Sequence, residues 1–260
     1  MSERSSRPHL RPIKHLGQNY LTDDNIARKI VSLVGARPNQ TVVEVGPGTG
    51  ALTKWLHQKY ASLHVIEVDT RAVELLRHEF PDVRVHEADV LDIDWTQFGS
   101  SIFVVGNLPY YITSEILFSV LDAPKVISQV VFMAQLEVAR RLVAETRTKE
   151  YGILSVATQL HSVPKIAFRV SRNVFYPRPD VESAVVVLDL TSPMSNNPAE
   201  LKNARRLSRE AFNQRRKTLR NSLSGSVARS GKSLPDEVAG KRAEELTPRD
   251  FLELSRYLEA

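Results

Sequence analysis

Asn107-Leu108-Pro109-Tyr110 directly follows an apolar run, Ile102-Phe103-Val104-Val105-Gly106. Asn offers a carbonyl oxygen that accepts an N–H. Pro fixes a turn and removes one backbone donor. Tyr presents a flat face for stacking. At the end of a strand, the three together suit gripping a planar base by its exocyclic amino group. The same four residues also make an ordinary strand-to-helix turn, so the rest of the chain has to decide between the two.

A second group lies upstream. Val42-Val-Glu-Val-Gly-Pro-Gly-Thr-Gly50 reads as a strand, a glycine turn and a helix start. Gly46 and Gly48 permit a tight turn and close approach of a ligand to the backbone. The spacing is Gly-x-Gly-x-Gly, not the Gly-x-Gly-x-x-Gly of a pyrophosphate cradle. Glu67 ends the next strand, where a carboxylate can accept ribose hydroxyls, and Asp89 follows the third, where it could accept from an adenine amino group. Each of these acids could instead be a helix cap. With Asn107 after the fourth strand, the set fits S-adenosyl-L-methionine better than a dinucleotide.

The elements that must position these residues alternate. Strand-like runs at 41–45, 63–68, 83–86, 102–105 and 126–133 are separated by helical patterns at 52–60, 72–80 and 114–121, with further helices at 136–146 and 151–160. Alternation of this kind predicts an α/β fold, a Rossmann-like, mostly parallel sheet with helices on both faces. Late strands at 165–170 and 183–190 lack a long helix between them and are expected to close the sheet as an antiparallel edge hairpin. A polar, Pro-bearing linker at 191–198 precedes a helices-only tail. We therefore expect a cofactor-binding domain over 1–192, with 1–14 as a flexible basic arm, and a small all-helical domain over 193–260 with little core of its own.

Composition narrows the partners. The 260 residues are 42% hydrophobic and 25% charged, as in soluble globular proteins. No apolar run reaches membrane-spanning length, and the N-terminus lacks the apolar core of a secretory signal. With no cysteine, disulfides and thiolate metal ligands are excluded, a pattern that fits a reducing, cytoplasmic setting. The seven His are scattered, and no metal site is expected. The net charge is only +5, but residues 201–232 hold ten Lys/Arg and one acid, Glu210. Such asymmetry points to a polyanion, although a solvated helix face would look the same. Gly225-Ser-Val-Ala-Arg-Ser-Gly-Lys-Ser233 has one residue too many for a phosphate loop and no preceding strand.

Taken in order, these motifs resemble the ribosomal RNA adenine N6,N6-dimethyltransferase family, and within it the small-subunit branch. Lys14-His-Leu-Gly-Gln-Asn-Tyr-Leu21 resembles the family's N-terminal cofactor segment, Val42–Gly50 its glycine motif and Asn107–Tyr110 its catalytic motif. Phe175-Tyr-Pro-Arg-Pro-Asp-Val-Glu-Ser-Ala184 resembles its late Pro-rich loop, and residues 206–223 the C-terminal domain of the small-subunit branch. Thr49 stands where the family often has Leu. The resemblance implies that Asn19, Leu21, Gly46, Gly48, Glu67, Asp89 and Asn107 hold S-adenosyl-L-methionine. It also implies that Asn107, Leu108, Pro109 and Tyr110 grip the target adenine, with Phe175 on its other face. Phe175 is otherwise an ordinary core aromatic. The expected partner is small-subunit ribosomal RNA, gripped by the basic arm (Arg4, Arg7, Arg11, Lys14) and the basic helices, with the protein acting as a monomer off the membrane. The other readings are a large-subunit dimethyltransferase conferring macrolide resistance and a non-catalytic RNA-binding assembly or transcription factor on the same fold.

Overall fold

The computed structural model describes residues 10–13, 16–123 and 126–259. Of the expected basic arm, Arg4, Arg7 and Lys14 lie outside the described residues. The strands are β1 (Tyr20–Leu21), β2 (Thr41–Val45), β3 (Ser62–Glu67), β4 (Arg84–Glu87), β5 (Ile102–Asn107), β6 (Ile127–Gln135), β7 (Val163–Val170), β8 (Phe175–Tyr176) and β9 (Ser183–Asp189). The helices are α1 (Asp24–Ser32), α2 (Thr53–Lys59), α3 (Thr70–Glu79), α4 (Thr113–Asp122), α5 (Leu136–Leu142), α6 (Ile153–His161), α7 (Pro198–Asn213), α8 (Leu219–Ser222), α9 (Ser224–Ser230), α10 (Asp236–Ala239) and α11 (Pro248–Glu259).

Seven strands form one sheet in the order β4-β3-β2-β5-β6-β9-β7. The pairs β3–β4, β2–β3, β2–β5 and β5–β6 are parallel, and β9 and β7 are neighbours at the far edge. The central strands read as continuous apolar runs because helices cover both faces; Val42, Val43 and Val45 are all buried. From β2 the chain steps outward through β3 and β4, then returns to build β5 and β6 on the other side. That reversal opens a crevice beyond the carboxyl ends of β2 and β5, where open α/β sheets take their ligands. The registers Val45↔Ile66 and Val45↔Gly106 set Gly46, Glu67 and Asn107 at one level around it.

Two elements lie outside the sequence expectation. Helix α1 is capped by Asp23, whose side chain accepts from the Asn25 and Ile26 amides, and it buries Ala27, Ile30 and Val31. The two-residue strands β1 and β8 pair antiparallel, with Tyr20 opposite Tyr176 and Leu21 opposite Phe175.

The chain divides into two compact units. One comprises the described residues up to Leu136 together with Ala167–Val187; the other comprises Glu137–Ile166 and the described residues from Leu188. The second unit thus takes in α6, which the expected boundary at 192 assigned to the sheet domain. Its core combines residues of the 137–166 segment with residues of the C-terminal helices. Tyr151, Val156 and Leu160 pack there with Leu201 and Leu207 of α7 and with Phe251 and Leu258 of α11. Leu201, Ala204, Leu207 and Ala211 recur every three or four residues along α7, which is the spacing that gives a helix one buried face. Asn197 caps α7, with Pro198 at its first position. Among the described residues, no helix is long and apolar enough to cross a membrane.

Candidate active site

A pocket in the first unit opens beyond the carboxyl ends of β2, β3 and β5. It is lined by Asn19, Tyr20, Gly46, Gly48, Glu67, Asp89, Asn107, Leu108, Pro109, Tyr110 and Tyr111, among others. Most of the residues singled out in the sequence therefore meet in one place. Leu21 and Phe175 do not line it. Both are buried members of the core beneath, and one fact explains both placements. Side chains alternate along a strand, and directly opposed residues of an antiparallel pair share a face. Tyr20 faces the pocket, so Leu21 faces the core and carries its partner Phe175 with it. Tyr176, on the Tyr20 side, is 60% exposed.

The glycine turn is shaped for close approach. Gly48 has φ +54°, and a Cβ there would come within 2.9 Å of the Tyr20 ring, so a side chain is excluded on both conformational and steric grounds. Glu67, 6% exposed, reaches across this turn. Its Oε2 accepts from the Gly48 amide at 3.0 Å, and its Oε1 accepts from the Val68 and Asp69 amides at 2.9 and 3.0 Å. Burial pushes the carboxyl above its usual range, and the three N–H groups pull the other way. They occupy about three of the roughly four lone-pair sites of a carboxylate, which leaves capacity on Oε2 for a hydroxyl donor. Asp89 does cap a short turn, Val90–Asp92, but only through Oδ1, which accepts from the Leu91 amide at 2.9 Å. The cap uses one oxygen of Asp89, and the residue is exposed at the pocket.

Asn107 ends β5. Its Nδ2 donates to the Asn19 carbonyl at 2.8 Å. With the NH2 end tethered, Oδ1 is the free acceptor. Among the described residues no hydrogen bond reaches the Leu108 carbonyl either. Two consecutive residues thus each offer an acceptor, one on the Asn107 side chain and one on the Leu108 backbone. The Pro109 carbonyl, in contrast, is occupied by Thr113 Oγ1 at 2.9 Å. The Tyr110 hydroxyl lies 2.6 Å from Ser183 Oγ, which fixes its ring, and burial raises its pKa.

Sequence reasoning missed the residues that hold segment 17–20 in place. Gln18 Nε2 donates to Asp69 Oδ2 at 2.8 Å, and Gln18 Oε1 accepts from the Tyr20 hydroxyl at 2.7 Å. Asp69 is held below the ordinary carboxylate range first by its paired Arg71 guanidinium, 2.6 Å away. Burial, with the Asp69 charge nearby, pushes the Tyr20 hydroxyl up to about 12. Gly17, at φ +59°, lies against the Tyr111 ring, where a Cβ would come within 2.7 Å. The signal available was the polar run Gln18-Asn19 between Gly17 and an aromatic, but its partners Asp69 and Tyr111 lie far along the chain.

A model of a family described as ribosomal RNA adenine dimethylase matches residues 11–260. The chain belongs to the ribosomal RNA adenine dimethylase family. Among curated relatives of this dimethylase, ribosomal RNA small subunit methyltransferase A of Salinibacter ruber is 46% identical, covering 96% of this chain and 86% of its own. The protein of the same name from Chlorobium chlorochromatii is 45% identical, covering 93% and 91%. Among solved structures, the 23S rRNA methyltransferase ErmE aligns with a TM-score of 0.69 at 27% identity, covering 93% of this chain and 100% of that one. A dimethyladenosine transferase from Plasmodium falciparum aligns with a TM-score of 0.75 at 22% identity, covering 90% and 95%, and supports the fold. Membership in a dimethylase family implies a methyl donor of the S-adenosylmethionine type. The residues lining the pocket fit such a group: Glu67 keeps a free acceptor site on Oε2, and Gly48 leaves room that any side chain would fill.

Proposed function

We propose that this protein transfers methyl groups from S-adenosyl-L-methionine to N6 of two adjacent adenosines near the 3′ end of small-subunit ribosomal RNA, giving N6,N6-dimethyladenosine. The observation that carries the reading is the tether from Asn107 Nδ2 to the Asn19 carbonyl. It leaves Asn107 Oδ1 and the Leu108 carbonyl as adjacent acceptors, matching the two hydrogens of an exocyclic amine. The names of the curated relatives support the small subunit as the substrate.

The adenine amine is a weak nucleophile because its lone pair is delocalised into the ring. Accepting both hydrogens at fixed points favours a pyramidal nitrogen, which takes that lone pair out of conjugation with the ring and aims it into the pocket. The donor supplies an electrophilic methyl on a sulfonium. Positioning of this kind accounts for a large share of the rate, and the same two dipoles favour the positive charge that develops on N6. Asn107 orients and does not take the proton, which leaves to water after the carbon–nitrogen bond has formed. Tyr110 provides a stacking face worth about 1–3 kcal/mol for a base drawn out of its helix. On the donor side, Glu67 accepts from a ribose hydroxyl and Asp89 from the adenine amino group.

In the helical unit the RNA grip falls on particular cations. Among the described residues, Lys202, Arg216, Lys217 and Arg220 are exposed with no carboxylate at ion-pair distance, whereas Arg206, Arg215 and Arg229 are paired with Glu259, Glu244 and Glu210. Such contacts follow backbone shape and weaken with salt. A protein of this kind acts where ribosomes are assembled, in the cytoplasm.

Incubation with methyl-labelled S-adenosylmethionine and unmethylated small subunits, followed by nucleoside analysis, tests the reading. Label in N6,N6-dimethyladenosine of the small-subunit RNA is expected. Label confined to large subunits would transfer the function to the activity named for ErmE, the likeness to which makes that the second reading.

A further inference from the structure

Helices α1 and α2 carry a cluster of cations that the pocket does not use. Arg28 Cζ lies 5.0 Å and Lys54 Nζ 4.7 Å from the centroid of the same ring, Trp55. Lys29 Nζ lies 4.0 Å from the Phe168 ring centroid and Lys59 Nζ 5.0 Å from that of Tyr60. The two helices contain only one acid to set against these four cations, Asp24, which is 2.9 Å from Lys54. Cation–π contacts of consequence occur about once per 70–80 residues. Two short helices thus hold four cations within 5.0 Å of aromatic ring centroids.

The arrangement has a cost. Arg28 and Lys54 are held against one ring, so their charges repel, and the ion pair of Asp24 is with Lys54. A surface that keeps like charges together gains most when a polyanion relieves the repulsion. The aromatic rings also fix the cations in advance. Arg28 is held by Trp55 and by its Nη2 donating to Asn25 Oδ1 at 2.6 Å; Lys59 is held by Tyr60 and by the Val31 carbonyl at 3.4 Å. Side chains already ordered lose less entropy on binding. The face does not suit a protein partner, since a protein interface needs an apolar centre. Trp55 and Phe168 are roofed by cations and are absent from the exposed large hydrophobics. In the chain, each helix follows a segment that lines the pocket: α1 follows Tyr20 of β1, and α2 follows Gly48 of the glycine turn.

We propose that the α1–α2 face is a second docking surface for the phosphodiester backbone of structured RNA, built on Arg28, Lys29, Lys54 and Lys59. This rests on the ribosomal RNA substrate argued above. The test is the affinity of the full-length protein for unmethylated small subunits across a salt series. In the double variant Arg28→Gln with Lys29→Gln, affinity is expected to fall about tenfold near physiological salt, and the log–log salt slope to become shallower by about 2. Lys59→Gln alone should show a smaller change in the same direction. Lys165→Gln, an exposed cation on β7 with no carboxylate at ion-pair distance among the described residues, serves as the charge control, and binding of S-adenosylhomocysteine reports on folding of each variant. If the double variant and Lys59→Gln match Lys165→Gln in affinity and slope, the proposed surface is wrong. If the wild-type protein does not bind small subunits, the substrate reading fails first and takes this surface with it.

Discussion

Glu67 in the pocket unit is buried and held by three backbone N–H groups, whereas in the helical unit Glu200, Glu210, Glu244 and Glu259 each meet an arginine at the surface. The pocket unit fixes its charges with backbone dipoles in a place that water reaches poorly, so each one is chemically specific. The helical unit holds many charges in solvent, where a single pair contributes about 0–1 kcal/mol. Function in the first unit therefore depends on individual side chains. In the second, the RNA grip proposed above would depend on the summed field of those cations that lack an acidic partner.

The largest effect distinguishing the two units is expected in the pocket. Glu67→Gln puts an amide N–H against backbone donors and removes a charged acceptor. Since hydrogen bonds to charged groups are worth about 1.5–3 kcal/mol, the dissociation constant for S-adenosylmethionine, read by calorimetry, should rise roughly tenfold to a hundredfold. RNA affinity should hold.

The helical unit should respond the other way round. Replacing Arg216, Lys217 and Arg220 together by Gln should weaken binding to small subunits and make the salt slope shallower by about 3, with donor affinity unchanged. Arg206→Gln removes a cation already paired with Glu259, so a filter-binding assay should find a much smaller loss. Equal losses from paired and unpaired cations would erase the distinction between them.

A third prediction concerns stability. Glu44 on β2 is 1% exposed, accepts from Thr53 Oγ1 at 2.7 Å, and is pushed by burial from the ordinary 4.5 up to about 8. Between those two pH values the folded protein keeps a proton that the unfolded chain has released, so stability declines as pH rises through that window. Glu44→Gln should therefore raise the midpoint of thermal unfolding at pH 8 to 9 and converge on wild type near pH 5. A gap that stays constant with pH would contradict this assignment. The smallest effect is expected from Arg256→Gln, which breaks an exposed pair with Glu200 and should cost no more than about 1 kcal/mol in denaturant titration.

The sheet was legible because its strands are continuous apolar runs punctuated by a glycine turn and by acids at strand ends. The Asn107 site was legible because its residues adjoin in sequence. Strands β1 and β8 were not, since two residues carry no periodicity and their partners lie about 155 positions apart. Without that register nothing in the sequence says that Leu21 and Phe175 turn inward. Helix α1 did leave a signal, an Asp cap followed by Ile26, Ala27, Ile30 and Val31 at helical spacing. The charge run at 201–232 was legible as composition but not as field, because Glu244 and Glu259, which neutralise part of it, fold back from the far end of the chain.

The central claim is that Asn107 orients the target amine through a side chain tethered at Asn19. Single-turnover methyl transfer by Asn107→Ala, measured with saturating S-adenosylmethionine and small subunits, tests it most directly. Transfer at saturating donor is expected to fall by about a hundredfold or more, with the RNA dissociation constant within about twofold of wild type. Transfer at a near wild-type rate would contradict the account.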